Sequence, residues 1–348
     1  MSHAMLRRLA VVQMCAGSDP TANFSRIADF VHQASSQGCS IVCLPENFDF
    51  IATSPEESVA LAQPLDGPLF SAYQSLARQH GVWLSLGGFH EKVYGAISDP
   101  SSSSSVLPHY SHPSAQGIMA SCTSSISATV PLTVPNEKSN IPASDSAKLY
   151  NTHAIVDNMG RLVTKYHKTH LFDVDVPGYR KMMESATTSA GKRMVAVKNT
   201  PIGCLGLSVC YDLRFPTLYS LLRFRAGCDV VLVPSAFMPT TGEAHWETLL
   251  RARAIETQCY VVAAAQAGQH NPSRRSYGHS MVIDPWGTVV GKLDGDSEGI
   301  LVVDICEQNI ASVRARMPIE SHLRWDLYGD ASNVLEREAL TIVDAMAD

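Results

Sequence analysis

The chain has no basic block. Its 27 Lys and Arg are outnumbered by 33 Asp and Glu and lie scattered, so no stretch could neutralise a run of phosphates. Nucleic acid is not an expected partner. Long apolar runs are missing too: the longest, such as Asp229 to Pro234 and Tyr260 to Ala265, are strand-length, far short of the roughly 20 residues of a membrane-spanning helix. A soluble protein without a membrane partner is expected. The start Met1-Ser-His-Ala-Met5 runs straight into the apolar Leu9 to Met14 without the h-region and cleavage site of a secretory signal. Met1 to Ala4 read as an appended segment before a start at Met5.

No CxxC pair occurs among the nine cysteines, whose number is odd and whose spacing follows no framework. That argues against disulfide staples, a structural zinc site and a thioredoxin-type centre. Neither a metal nor a cofactor is expected. Most of these cysteines, Cys39, Cys43, Cys204, Cys228 and Cys259 among them, sit inside apolar runs and read as small buried hydrophobes. Reduced thiols of this kind suit a cytoplasmic compartment, and a mitochondrial pool is compatible with them.

What the sequence does have is enough apolar material, 45% over 348 residues, to bury a large core. Leu6 to Met14 reads as a buried strand, and Pro20 to Ser36 as a helix with Phe24, Ile27 and Val31 on one face, stopped by Gly38. A short strand, Ser40 to Leu44, ends at Pro45-Glu46, and a helix around Ser71 to His80, closed by Gly81, precedes a strand Val82 to Leu86. From about 96 to 147 the composition turns to Ser, Pro, Thr and Asn, including Ser101 to Ser105. Such a stretch cannot bury enough apolar surface to offset its ordering entropy, so a flexible insertion is expected there. The pattern resumes with a hairpin of Tyr150 to Val156 and Leu162 to Lys165. Strands follow at Met194 to Val197, Cys204 to Val209, Val230 to Val233, Tyr260 to Ala265, Ser280 to Ile283 and Gly299 to Val303. Helices are expected at about 216–226 and 243–258. Hairpin signals such as Asp284-Pro285-Trp286-Gly287 among the β/α units imply mixed sheets in a layered α/β sandwich. One domain over 5–335 with a C-terminal tail at 336–348 is the expected organisation.

Three residues could carry chemistry. Cys210 ends the apolar strand Cys204-Leu-Gly-Leu-Ser-Val-Cys210 just before a helix. Such an elbow exposes a nucleophile at the sheet edge and aims the next N–H, that of Tyr211, at a developing oxyanion. A free thiol is only a few per cent ionised at neutral pH and needs a neighbouring base or cation. Glu46, in Cys43-Leu-Pro-Glu-Asn-Phe-Asp-Phe50, emerges at a strand end where a carboxylate could accept the thiol proton. Lys168, in Lys165-Tyr-His-Lys-Thr-His-Leu-Phe-Asp173, could donate to the oxyanion. Each has a plainer alternative: a buried thiol, an exposed strand-end glutamate and a solvated lysine. His167 and His170 could suggest a metal, but further ligands are lacking, and they read as neutral hydrogen-bonded histidines, as do His245, His270 and His279. His279 could also shape a pocket floor.

The segments Leu-Pro-Glu46, Tyr-His-Lys168-Thr-His-Leu-Phe-Asp and Leu-Ser-Val-Cys210-Tyr-Asp-Leu-Arg-Phe-Pro, in this order, resemble the nitrilase superfamily of carbon–nitrogen hydrolases. Trp83-Leu-Ser-Leu-Gly-Gly-Phe-His90, Leu249 to Ala265 and Tyr277-Gly-His-Ser-Met-Val-Ile-Asp-Pro-Trp-Gly287 narrow the resemblance to its Nit branch, over nearly the whole chain outside the Ser-rich stretch. That branch also resembles the nitrilase-like half of a fusion with a fragile-histidine-triad hydrolase. The resemblance implies a four-layer αββα sandwich, a Glu46–Lys168–Cys210 triad, and a supporting glutamate at Glu184 in Met182-Met-Glu-Ser185. It implies a homodimer or homotetramer, with the helix bearing Leu249, Arg251, Arg253, Ile255 and Glu256 resembling the family's association helix. The implied substrate is a small-molecule amide, the γ-amide of a 2-oxo acid such as deaminated glutathione. Arg214 would then fix the substrate carboxylate, and Phe237 and Thr241 would line the pocket. An ω-amidase for 2-oxoglutaramate and a non-catalytic nitrilase-like protein acting through partners are the alternatives.

Overall fold

In the computed structural model, which describes residues 7–93, 149–175, 181–328 and 339–346, alternate residues of the strand Arg7–Gln13 enter two different cores. Leu9 and Val11 pack with Ile41, Cys43, Ile155 and Tyr166 against Val195, Leu205, Leu207 and Val231 of a second sheet. Ala10 and Val12, pointing the other way, pack on Ile27, Val31, Phe70 and Tyr73 of two helices. The period-2 alternation of a strand thus separates a sheet–sheet layer from a sheet–helix layer.

The first sheet has six strands in the order Gly299–Ile305, Arg7–Gln13, Ile41–Cys43, Trp83–Lys92, Leu149–Val156 and Leu162–His167. Arg7–Gln13 pairs parallel with Ile41–Cys43 and antiparallel with Gly299–Ile305. The second has seven, in the order Val289–Lys292, Met281–Ile283, Tyr260–Ala263, Val230–Leu232, Gly203–Leu207, Met194–Thr200 and Leu340–Asp344. Both sheets are mixed. Helices Pro20–Ser36 and Pro68–His80 cover the first sheet, and Trp246, Leu250 and Ala254 of Pro239–Thr257 and Leu218 and Leu222 of Pro216–Phe224 pack on the strands of the second. This is the expected αββα sandwich.

Local chemistry explains several boundaries. Asp19 caps the first helix by accepting from the N–H groups of Thr21 and Ala22, and Pro20 occupies the first turn. Gly81, at φ 62°, closes Pro68–His80 in the left-handed conformation. The helix expected from about 243 begins at Pro239 instead, because the proline fits the first turn and Gly242 lets the helix lie against the Tyr277 ring.

The expected tail at 336–348 needs correction. Leu340–Asp344 is a strand, parallel to Met194–Thr200 from Leu340 beside Met194 to Asp344 beside Lys198. Its five residues, three of them aliphatic, form a run too short to stand out next to the helix-like pattern before it, and it is held by the edge it joins. The stretch expected to loop out at about 96–147 lies outside the described residues. Short elements that carry no strong pattern were not anticipated: the helix Pro55–Leu61 and the hairpin Ala267–Asn271 with Arg274–Tyr277.

Candidate active site

Glu46 lies two residues beyond Leu44, whose N–H still follows the sheet by donating to the Ser85 carbonyl. The chain then turns through Asn47 at φ 57°, and Gln266 Nε2 donates to the carbonyls of Glu46 and Asn47 at 3.0 and 3.2 Å. The base of the glutamate is therefore clamped to the second sheet's loop. Lys168 follows the strand Leu162–His167, with its N–H on the Asn151 carbonyl at 2.9 Å and its carbonyl accepting from Gly191 at 2.8 Å. Cys210 follows Gly203–Leu207 and opens a 3-10 turn, Cys210–Arg214, ahead of the helix Pro216–Phe224.

The cysteine sits at φ 48°, a left-handed conformation that costs a non-glycine residue on the order of 1–3 kcal/mol. Its N–H donates to the Pro234 carbonyl at 2.8 Å, and Asp212 accepts from the Val209 N–H at 2.8 Å. Asp212 also accepts from Tyr166 Oη, Thr169 Oγ1, the His170 N–H and His170 Nδ1 at 2.7–3.1 Å. One buried carboxylate thus ties the turn that Cys210 opens to the segment after Lys168. His170 is used there, and His167 bonds Glu91 and stacks on Tyr150; no group of three metal-ligating side chains occurs among the described residues.

Side chains from these turns converge. Lys168, 2% exposed, places Nζ 2.9 Å from Glu46 Oε1 and 2.8 Å from Glu184 Oε2. Glu184, on the turn Glu184–Ala186, also accepts the Phe172 N–H at 2.7 Å. Burial would lower the Lys168 ammonium, but Glu184, Glu46 and the Cys210 sulfur more than offset it and hold it well above the usual lysine range. For Glu46 burial pushes upward, yet Lys168, the Cys210 thiol and Asn151 bring the carboxyl below its ordinary value. Burial and then the Glu46 charge push the Cys210 thiol well up, with Lys168 opposing in part. The resting arrangement is a neutral thiol donating to a charged carboxylate beside a charged lysine.

The Ala236 backbone N–H favours the ionised sulfur, the smallest of the influences on the thiol, and among the described residues no carbonyl accepts from the Tyr211 N–H. Arg214 lies over two rings, its guanidinium carbon 5.7 Å from the Tyr211 centroid and 5.6 Å from that of Phe237, with Nη1 3.3 Å from His245 Nδ1. Arg214, Tyr211 and Phe237 are therefore brought together. Thr241 is not joined to them by any described contact: it lies in the first turn of Pro239–Thr257 and its hydroxyl donates back to the Met238 carbonyl. His279 stacks on Tyr277 and bonds its carbonyl.

Residues 8–113 and 112–315 match the model of the carbon-nitrogen hydrolase family. The chain belongs to the carbon-nitrogen hydrolase family. Within it, the chain is 41% identical over 334 residues to deaminated glutathione amidase of Bos taurus, covering 96% of this chain and 87% of that protein. The human deaminated glutathione amidase is 40% identical over the same shares. Among solved structures, the Caenorhabditis elegans NitFhit protein matches with a TM-score of 0.73 at 41% identity, over 92% of this chain and 66% of that one. Saccharomyces cerevisiae Nit3, of branch 10 of the nitrilase superfamily, matches at 0.67 and 27% identity, over 92% and 98%. As a carbon-nitrogen hydrolase the protein acts on carbon–nitrogen bonds other than peptide bonds. Among its described residues no helix is long and apolar enough to cross a membrane.

Asn151, Gln266, Asp212 and the Ala236 N–H were not anticipated as site residues. Asn151 was hidden in a strand that otherwise reads as ordinary alternation, and a backbone donor has no sequence signature. Only Asp212 carries a signal, as a lone acid between Cys210 and an apolar helix.

Proposed function

We propose that the protein hydrolyses the γ-amide of deaminated glutathione, releasing 2-oxoglutarate and cysteinylglycine. The observation that carries this reading is the convergence of Glu46, Lys168 and Cys210 in a chain about 40% identical to deaminated glutathione amidases. Glu46 takes the Cys210 proton as the sulfur attacks the amide carbon. Lys168 and the Tyr211 N–H stabilise the oxyanion, an interaction commonly worth about 2.7–4 kcal/mol per donor. As the C–N bond breaks, Glu46 returns its proton to the departing amine. Water then gives a proton to Glu46 and attacks the thioester; the C–S bond breaks, the acid leaves and the thiol is restored.

Arg214 anchors the 2-oxo acid carboxylate by bidentate pairing, held in position by the Tyr211 and Phe237 rings. Thr241 contributes at most through the turn it stabilises. Ile255 and Trp286, both exposed large apolar side chains, lie at the helix Pro239–Thr257 and the turn it contacts, and support assembly through that face into a homodimer or homotetramer. A reducing cytoplasm suits the free thiols.

Purified protein incubated with deaminated glutathione and, separately, with 2-oxoglutaramate tests the substrate. Greater kcat/KM for the former is expected. Greater kcat/KM for 2-oxoglutaramate would make the protein an ω-amidase, and no hydrolysis or Cys210 adduct with either would end the reading.

A further inference from the structure

Asn151 touches three separate parts of the site. Its carbonyl accepts the Lys168 N–H at 2.9 Å. Its side-chain Nδ2 donates to Glu46 Oε1 at 2.9 Å and to Glu184 Oε1 at 3.2 Å. The amide orientation is dictated by chemistry, since a flip would set its oxygen against two carboxylates. The residue is only 7% exposed, and its Oδ1 is buried with no hydrogen-bond donor among the described residues. Gly88 covers the pair: a Cβ there would lie 2.9 Å from Oδ1 and 2.9 Å from Glu46 Cγ.

A buried acceptor left unpaired is destabilising. An apolar side chain would remove that cost but would also remove the one neutral donor shared by both carboxylates. Lys168 alone cannot fix them, because a point charge favours closeness without setting where each oxygen points. The strand Leu149–Val156, by contrast, is paired on both sides and holds the amide rigidly. We infer that Asn151 is a positioning residue for the proposed amidase reaction: its amide holds Glu46 in the orientation and charge state of a base while keeping Glu184 apart on Lys168.

The inference rests on the reading of Glu46 as base, so its consequence is one of pH. The groups facing Glu46 are Lys168 after the strand Leu162–His167, Cys210 at its elbow, and Glu184 across the Asn151 amide. Removing a donor to the charged form raises the carboxyl's proton affinity. Replacing the amide with an isosteric acid supplies a single O–H, enough for one of the two carboxylates and only while that acid is protonated; beside two carboxylates its proton is held unusually firmly.

Asn151→Ala and Asn151→Asp are compared with the parent protein by two readouts. One is the pH profile of kcat/KM on deaminated glutathione; the other is the pH profile of Cys210 alkylation by iodoacetamide, followed by peptide mass spectrometry. For Asn151→Ala, with a retained thermal midpoint, both acidic limbs should move up by about one pH unit, and kcat should fall about 10–100-fold with KM changed far less. For Asn151→Asp, whose protonated carboxyl can serve only one of the two carboxylates, rates at low pH should fall between those of the parent and of Asn151→Ala, and should be lost on the alkaline side, where the substituted carboxyl ionises. Limbs superimposable on the parent's for both variants would overturn the inference even if rates fell, since a merely structural role lowers rates without moving them. Should Asn151→Ala fail to fold, the isosteric Asn151→Asp decides alone. If the parent protein hydrolyses no amide, the proposed function falls, and the alkylation profile still supports or overturns the role of Asn151.

Discussion

Lys168 and Glu184 meet through both carboxylate oxygens, at 2.8 and 3.1 Å from Nζ. The glutamate is thereby a second counter-charge to the lysine, arriving from a turn that also fixes the Phe172 N–H. Two carboxylates around one ammonium leave Lys168 charged whichever proton Glu46 gains or loses during a turnover.

Removing that partner should therefore disturb rate more than affinity. Glu184→Ala is expected to lower kcat by about 100-fold, on the order of 3 kcal/mol, while KM changes only a few-fold. Steady-state kinetics of amine release check this, and a KM rise with kcat unchanged would assign Glu184 to substrate binding instead.

The strained backbone at Cys210 predicts an ordering of inactive variants. Cys210→Ala keeps a Cβ at φ 48°, whereas Cys210→Gly adopts that conformation freely. After allowance for the glycine's greater unfolded-state entropy, Cys210→Gly should be the more stable by about 0.5–1 kcal/mol. Urea unfolding of the two proteins measures the difference; a Cys210→Gly protein less stable than Cys210→Ala by about 0.4–1 kcal/mol, the entropic cost of glycine alone, would mean that the elbow stores no strain.

Arg214 should act on binding. Truncating it to alanine removes a charge-assisted bidentate pair, worth roughly 1.5–3 kcal/mol, so KM for a 2-oxo acid amide should rise about 10–100-fold with kcat less affected. Arg214→Lys should restore little, because an ammonium cannot offer the planar fork. An unchanged KM in the lysine variant would remove the anchor role.

His153 links the two sheets close to Cys210, through Ser208 and Ser85. Its Nδ1–H donates to the Ser208 carbonyl at 2.9 Å, leaving Nε2 to accept from Ser85 Oγ at 2.7 Å. Burial, only partly opposed by that carbonyl and by Asp212, brings this imidazole down to about 4. The folded protein thus holds it neutral while the unfolded chain protonates it below about 6.5. Stability from this group is full above that pH and is lost as pH falls toward 4, by on the order of 3 kcal/mol in all. Denaturant titrations at pH 7 and pH 5 should show the decline, and His153→Asn should flatten this part of it.

The layers of this fold were readable because its strands and helices advertise their period. Leu9 to Met14 and Tyr260 to Ala265 read as strands buried on both faces, and Phe24, Ile27 and Val31 mark the inner face of a helix. Glu46, Lys168 and Cys210 stand out in the sequence by position, at strand ends and an elbow, and more as an ordered set than singly. What supports them was not legible. Asn151 and Gln266 act through atoms brought close by strands far apart in sequence, and hydrogen bonding of this kind has no local pattern. The strand Leu340–Asp344 was missed because it owes its form to the edge of Met194–Thr200 rather than to its own five residues.

That last strand has a bearing on how the protein behaves in concentrated solution. The carbonyl of Ala339 takes the Met194 N–H at 2.7 Å, Asp344 takes Asn199 Nδ2 at 2.8 Å, and Ala345 donates to Lys198. Stripping residues 339–346 away would leave Met194–Thr200, with its run Met-Val-Ala-Val, paired only with Gly203–Leu207 and open along its other edge. A second molecule offers the readiest replacement. The closing segment thus works as a stopper against sheet-to-sheet growth.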